Sequence, residues 1–399
     1  MNSNLPSLLI ATQPKVIDLG WGHPSARLHP LDNIRRASTR MLSKGDTRPL
    51  QYGATQGYGP FLESLATFLS KQQSYQMQVD PHNLFLTAGA SQGLDLACTL
   101  FASKDDTIVV EEPTYFVIEQ IFREHNLKIA GIPTDSDGMM VSVLAEKLVS
   151  GFRPKLVYTI PTYQNPTGTS MPPERRKQLV ALATEFDFHI LADEVYQLIH
   201  FERMPPPPLI SFDHDNRVLS FGSFSKILAP GLRVGWIQAS RDVLRRFTNA
   251  AVTFSGGGFN HYGAALVKEF IDMGFLDTNV TYLRQVYSKR ASVMNEALQA
   301  NFGNSIEYEI PTGGYYFWLR FIDGLDTEVF LPLAEENGVS YRPGKLFSES
   351  GRFNDNLRLT YTLYETDELG KGIARLGTTF RNYKYQSPHP IPVVRCPHH

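Results

Sequence analysis

Between residues 83 and 238 the chain alternates short apolar runs with amphipathic stretches. Asn83–Thr87, Thr107–Glu111, Lys128–Ile132, Lys155–Ile160, Phe188–Asp193, Arg217–Gly222 and Leu232–Gln238 are rich in Val, Ile, Leu, Phe and Tyr. Turn residues bound each run, which predicts strands. Ser91–Ser103 places Leu94, Ala97, Cys98 and Phe101 on one helical face. Pro173–Phe186 predicts another helix, with its proline suited to the first turn. Strands alternating with helices predict an α/β fold: a mostly parallel seven-stranded sheet covered on both faces.

After about Val280 the pattern changes. Thr281–Ala300 predicts a long helix, Gly313–Phe321 a strand, Thr327–Asn337 a helix and Asn356–Tyr361 a strand. This order suggests a smaller α+β domain. The expected division is an N-terminal segment, 1–45, packing with the small domain, then a large domain, 46–280, and a small C-terminal domain, 281–399. The run Pro205–Pro208 reads as a stiff loop, since strand signals resume soon after it. From Tyr383 to His399 no period is visible, and the tail reads as irregular. Its terminal His398 and His399 suit a metal less well than a fraying end. No metal site is expected.

Composition narrows the function classes. An apolar fraction of 42% and a charged fraction of 20% are those of an ordinary globular protein. A net charge of −2 offers no footprint for nucleic acid or an anionic membrane. Two cysteines, Cys98 and Cys396, do not make a disulfide scaffold. The first twenty residues lack a basic start and a long apolar core, and no apolar run approaches membrane-spanning length. A cytoplasmic enzyme acting on small molecules is the expectation.

The chemistry concentrates around Lys226, in Ser223-Phe224-Ser225-Lys226-Ile227-Leu228-Ala229-Pro230-Gly231-Leu232-Arg233. Two hydroxyls, an amine and a guanidinium within eleven residues can hold a phosphate beside an aldehyde. Pyridoxal 5′-phosphate (PLP) carries both groups. Lys226 would form a Schiff base with the aldehyde, and Ser223, Ser225 and Arg233 would bind the phosphate. Other predicted strands end in groups that PLP chemistry uses, at the sheet edge where ligands sit in open α/β folds. Asp193 ends an apolar strand, where a carboxylate is costly unless paired; it suits a protonated pyridine nitrogen, or a helix N-cap. Asn165 lies in Asn165-Pro166-Thr167-Gly168, a donor for a phenolic oxygen or a plain turn. Ser91 and Gln92 open a helix, where free N–H groups favour an anion; Ser91 also suits an N-cap. Tyr115 follows a strand and suits ring stacking or core packing. Arg358 alternates with Leu357 and Leu359, so it faces either a cleft, where it would take a carboxylate, or water.

Together these segments resemble class I/II aminotransferases, PLP-dependent enzymes of fold type I, from Leu19 to about Leu376. The branch with 2-aminoadipate and kynurenine aminotransferases is nearest. The Ser-x-Ser-Lys-x-x-x-Pro-Gly-Leu-Arg run is highly specific; Asn-Pro-Thr-Gly and Ala-Asp-Glu-Val-Tyr support it. The resemblance implies that Lys226 bonds the cofactor and shuttles a proton, and that Asp193 pairs with the pyridine nitrogen. It also implies that Asn165 and Tyr196 bind the phenolic oxygen and that Tyr115 stacks on the ring. Ser91, Gln92, Ser223, Ser225 and Arg233 would cradle the phosphate, with Gly22 and Arg358 on the substrate carboxylate. Tyr52 matches a tyrosine that such dimers send into the partner's phosphate site, so a homodimer is implied. Its substrates would be an L-α-amino acid and a 2-oxo acid.

Two segments depart from the pattern. Trp21, in Leu19-Gly20-Trp21-Gly22-His23-Pro24, stands where relatives often carry a glycine. It either reshapes the substrate pocket or packs in the core. Ser255-Gly256-Gly257-Gly258-Phe259-Asn260 is unusually glycine-rich, which suits a mobile loop near the cofactor or a backbone contact at a dimer interface. Transamination leads. Other reactions on the same fold (elimination, racemisation or carbon–carbon bond formation) stand as the alternative, and a non-catalytic PLP-binding module stands behind them.

Overall fold

The computed structural model describes residues 8–9 and 15–386. All seven predicted runs enter one sheet. Its order is Leu84–Thr87, Gly235–Gln238, Val218–Ser223, His189–Asp193, Leu156–Thr159, Thr107–Glu112, Lys128–Asp135 and Gly138–Met139. The five strands from Val218–Ser223 to Lys128–Asp135 run parallel. Gly235–Gln238 is antiparallel to both of its neighbours. The central strands are buried along their whole length, as a sheet covered on both faces requires.

The sheet therefore has eight strands, not seven. The extra one, Gly138–Met139, is a two-residue hairpin return onto Lys128–Asp135, too short to carry a period. Leu232–Gln238 is a strand only from Gly235. Pro230–Leu232 forms a 3-10 turn, and Arg233 takes a left-handed φ of 48°. Ser91 is not a helix N-cap: Gly89 holds that position, at φ 90°, and the helix runs Ala90–Phe101.

A second, antiparallel sheet joins Ile306–Glu307, Tyr316–Phe321, Asn356–Thr360 and Arg342–Pro343 in that order. The long helix runs Phe275–Phe302, opening earlier than its apolar period suggests, directly after Gly274 at φ 71°. The last helix, Thr366–Gln386, takes in Tyr383, the first residue of the stretch expected to be irregular. Tyr383 meets the Phe330 ring at 5.5 Å, a long-range contact with no local signal. His398 and His399 lie outside the described residues. Near the N-terminus, Ile17–Asp18 pairs in parallel with Val339–Ser340. The helix Leu31–Ser43 packs instead on His261–Asp272. This crossing brings Gly20–His23 between the two sheets.

Candidate active site

Four parallel strands end at one edge of the large sheet, and the segments after them line a single cavity of about 280 Å³. Tyr115 follows Thr107–Glu112, Asn165 follows Leu156–Thr159, Asp193 ends its own strand, and Ser223 leads to Lys226. Gly20–His23 and the second sheet, through Tyr316, Arg342 and Arg358, close the other side. The topology thus assembles residues that are up to 338 positions apart, as in the bond from Arg358 Nη2 to the Gly20 carbonyl, 2.6 Å.

Lys226 projects into this cavity. Its Nζ donates to the Gly22 carbonyl at 2.9 Å and lies 5.0 Å from the Tyr315 ring centre. Tyr315 in turn donates to the Lys226 carbonyl, 2.9 Å. Burial pushes the ammonium below its usual range; Tyr316 and Asp193 oppose that, and Arg358 adds to it. Asp193 is buried, and burial raises its carboxyl to about 6. Tyr158 donates to its Oδ2 at 2.9 Å, while Oδ1 has no partner among the described residues. A dry, half-satisfied carboxylate is expensive.

Glu111 shapes the Asn165 turn. It is fully buried, which raises it to about 7, and it accepts from Thr159 Oγ1 (2.7 Å), Ile160 N (3.1 Å) and Gln164 Nε2 (3.2 Å). Asn165 Oδ1 accepts from Arg358 Nη1 at 2.7 Å. Arg358 is 3% exposed, so its strand presents it to the cavity and not to water. It lies over the Tyr316 ring at 4.2 Å, and its Nε has no partner. Tyr196 is buried, with its hydroxyl 3.2 Å from that of Tyr316.

At the other end, Ser223 Oγ donates to Ser225 Oγ (2.9 Å), and Arg233 Nη1 reaches the same oxygen at 3.4 Å. Arg233 Nη2 donates to the Ala88 carbonyl at 3.1 Å. A Cβ on Gly89 would run into that guanidinium, so glycine is what lets Arg233 approach the helix start. Ala90 and Ser91 line the cavity beside it. Gln92 does not; its Oε1 accepts from Ala88 N at 3.0 Å. Tyr52 is also outside the cavity, and it is 86% exposed.

Trp21 faces the cavity. Arg342 covers its ring at 4.5 Å and His23 meets it edge-on at 5.6 Å. Burial, then Lys226, Arg358 and Arg342, hold His23 down at about 4, so its imidazole is neutral. The glycine run is no open loop: Gly258 N bonds the Gly53 carbonyl at 3.4 Å. A Cβ on Gly257 would strike that same carbonyl. Asn260 donates to the Leu232 carbonyl at 2.7 Å and to that of Arg233. Tyr158, Tyr315, Tyr316 and Arg342 carry no sign of a place at the site in the sequence. Only Gly22 pointed toward Tyr316: a Cβ there would fall inside the tyrosine hydroxyl.

Known proteins resemble this chain along most of its length. The sequence profile of aminotransferase class I and II matches residues 14–376. Aromatic-amino-acid aminotransferase 1 of Thermococcus litoralis is 33% identical over 370 residues, covering 92% of this chain and 88% of that protein. The crystal structure of the multiple substrate aminotransferase from Thermococcus profundus superposes with a TM-score of 0.87 at 33% identity, over 94% of this chain and 93% of that one. Pyrococcus horikoshii kynurenine aminotransferase, crystallised with pyridoxamine phosphate (PMP), kynurenine and kynurenic acid, gives 0.86 at 33% identity, over 92% and 91%. The chain belongs to the class I and II aminotransferases, PLP-dependent enzymes of fold type I that move an amino group between an amino acid and a 2-oxo acid.

Proposed function

We propose that this cavity is the catalytic site, with Lys226 as its acid–base group and Asp193 as the anchor of the cofactor ring. The observation that carries this reading is the unpartnered, buried Oδ1 of Asp193 in the same cavity as the Lys226 amine. PLP would fit this lining. A protonated pyridine nitrogen would satisfy that oxygen, a phosphate would lie among Ser223, Ser225, Arg233 and the Ala90–Ser91 helix start, and Tyr115 would face the ring. Asn165 and Tyr196 would hold the phenolic oxygen. Bound PLP supplies an aldehyde that condenses with amines and a ring that withdraws electrons from the substrate Cα.

The protein's own part is positioning and proton transfer. Arg358 binds the substrate α-carboxylate through its fork, with its vacant Nε available as a further donor. The Gly22 carbonyl holds Lys226 Nζ on the cavity side. Desolvation favours the free amine, which would take a proton from the substrate Cα and return it as the acid–base group of the site. Asp193 would hold a protonated ring nitrogen of the cofactor through its Oδ1. Neutral His23 and Trp21 border the substrate end without adding charge.

Tyr52, far from its own cavity, is proposed to serve the phosphate site of a second copy in a homodimer. Exposed Leu50, Tyr52, Val252 and Phe254 make an apolar surface beside the Gly53–Gly257 contact, in support of such an interface. The division into 1–45, 46–280 and 281–399, with Ile17–Asp18 on the small domain and Leu31–Ser43 on the large one, and a cytoplasmic setting belong to the same proposal. No described helix is long and apolar enough to cross a membrane. A panel of L-amino acids, added while visible absorption is recorded, tests the reaction. Conversion of the PLP form to the pyridoxamine form is expected; ammonia release without it would overturn transamination.

A further inference from the structure

Arg342 lines the same cavity and has no part in the roles above. It stands directly opposite Arg358 on the neighbouring antiparallel strand, so both side chains leave the sheet on one face. Like charges opposite each other on a sheet destabilise it, and the pair calls for an anion at each fork. Arg358 has its carboxylate in the proposed reaction. Among the described residues Arg342 has one carboxylate, that of Asp18, whose Oδ2 stands 3.6 Å from Nη2, within ion-pair range and outside hydrogen-bond reach. Asp18 is not free to close that gap, because its Oδ1 accepts from Gly20 N at 2.8 Å. The fork is nevertheless placed with care. Its Nη1 donates to the Tyr341 carbonyl at 3.1 Å and its plane covers Trp21. A Cβ on Gly20 would lie 2.7 Å from Nη1, so glycine opens the space that the fork occupies.

We propose that Arg342 is a specificity-determining residue that takes the distal carboxylate of a dicarboxylic amino acid or 2-oxo acid, with Trp21 holding its fork in place. The proposal rests on the reading that Arg358 takes the α-carboxylate. An apolar substrate side chain would leave Arg342 with its loose Asp18 contact alone, whereas a second carboxylate supplies a fork-to-fork partner. Trp21 then accounts for its own bulk, since the indole face stabilises the guanidinium and walls the substrate's methylene chain.

The test measures calorimetric affinities of the PLP-loaded enzyme for glutarate and for pentanoate, which differ in one terminal carboxylate. In Arg342→Gln the preference for glutarate should fall roughly 10- to 100-fold, the worth of a charged hydrogen-bonded contact. Arg342→Lys, which keeps the charge and loses the fork, should fall less, and Asp18→Asn should raise the preference by removing a competing carboxylate. An unchanged preference in both Arg342 variants would overturn the proposal. Should Arg342→Gln fail to load cofactor, Arg342→Lys and Asp18→Asn decide it, and no change in either sinks it. The underlying reading is checked separately: if Arg358→Ala leaves pentanoate affinity unaltered, the α-carboxylate assignment fails whatever Arg342 does.

Discussion

At the residue scale, chemistry follows from desolvation. Lys226 and Asp193 have opposite charges and are shifted toward neutrality by the same burial. Lys226→Ala, reconstituted with PLP, should lose the long-wavelength absorption band and yield no borohydride-stable protein adduct. Turnover should drop by at least roughly 10²-fold; a retained adduct would move the assignment to another lysine. Asp193 gives a prediction with a sign. Its folded pKa of about 6 lies above the ordinary 3.8, so the cofactor-free protein binds the extra proton and loses stability as pH rises from about 4 to 6. Asp193→Asn should therefore raise the melting temperature of the cofactor-free protein at pH 7 while weakening PLP binding. The gain is bounded at about 3 kcal/mol, two pKa units. A lower melting temperature at pH 7 would show that Oδ1 is satisfied without the ring. For Arg358→Ala, steady-state kinetics should show KM for amino acids rising roughly 10- to 100-fold.

At the element scale, the site depends on how turns are held. Arg233 is left-handed at φ 48°, a region that costs a non-glycine residue about 1–2 kcal/mol. The two bonds from Asn260 to the carbonyls of Leu232 and Arg233 offset that cost. Asn260→Ala should relax the turn and weaken PLP affinity by about tenfold, the worth of one to two hydrogen bonds. Reconstitution titrations of the cofactor-free protein measure it, and an unchanged dissociation constant would mean that the guanidinium's own contacts to Ala88, Ser225 and Pro230 keep Arg233 in place. Asn260 closes the glycine run, whose φ-positive Gly257 abuts Gly53. One segment thus links the Arg233 turn to the loop carrying Tyr52. The run stands out in the sequence by its composition, but its partner does not, because a backbone-to-backbone contact leaves no side-chain pattern.

At the scale of the whole molecule, the cavity is made by two sheets and an N-terminal crossing, and the proposed dimer completes it. Tyr52→Phe and Lys226→Ala chains mixed and refolded together should give more activity than the sum of the two alone. Only a mixed dimer restores one intact composite site. Activity that merely averages would mean that Tyr52 acts within its own chain or not at all.

The sequence by itself determined the fold class and the cofactor. Seven short apolar runs carry period and length, and the spacing of Ser223, Ser225, Lys226 and Arg233 lies within one local turn. Local signals of this kind survive in one dimension, and so Asp193, Asn165 and Ser91 were legible as strand ends and helix starts. Tertiary structure alone decided which face Arg358 presents, since alternation gives two faces and only packing against Asn165 and Gly20 chooses between them. It also decided that Gln92 turns back to Ala88, that Tyr316 closes over Gly22, and that Arg342 stands beside Arg358 over Trp21. The contacts of Tyr316 with Gly22 and of Arg342 with Trp21 join segments more than a hundred residues apart, where desolvation and charge, not sequence spacing, settle the neighbours.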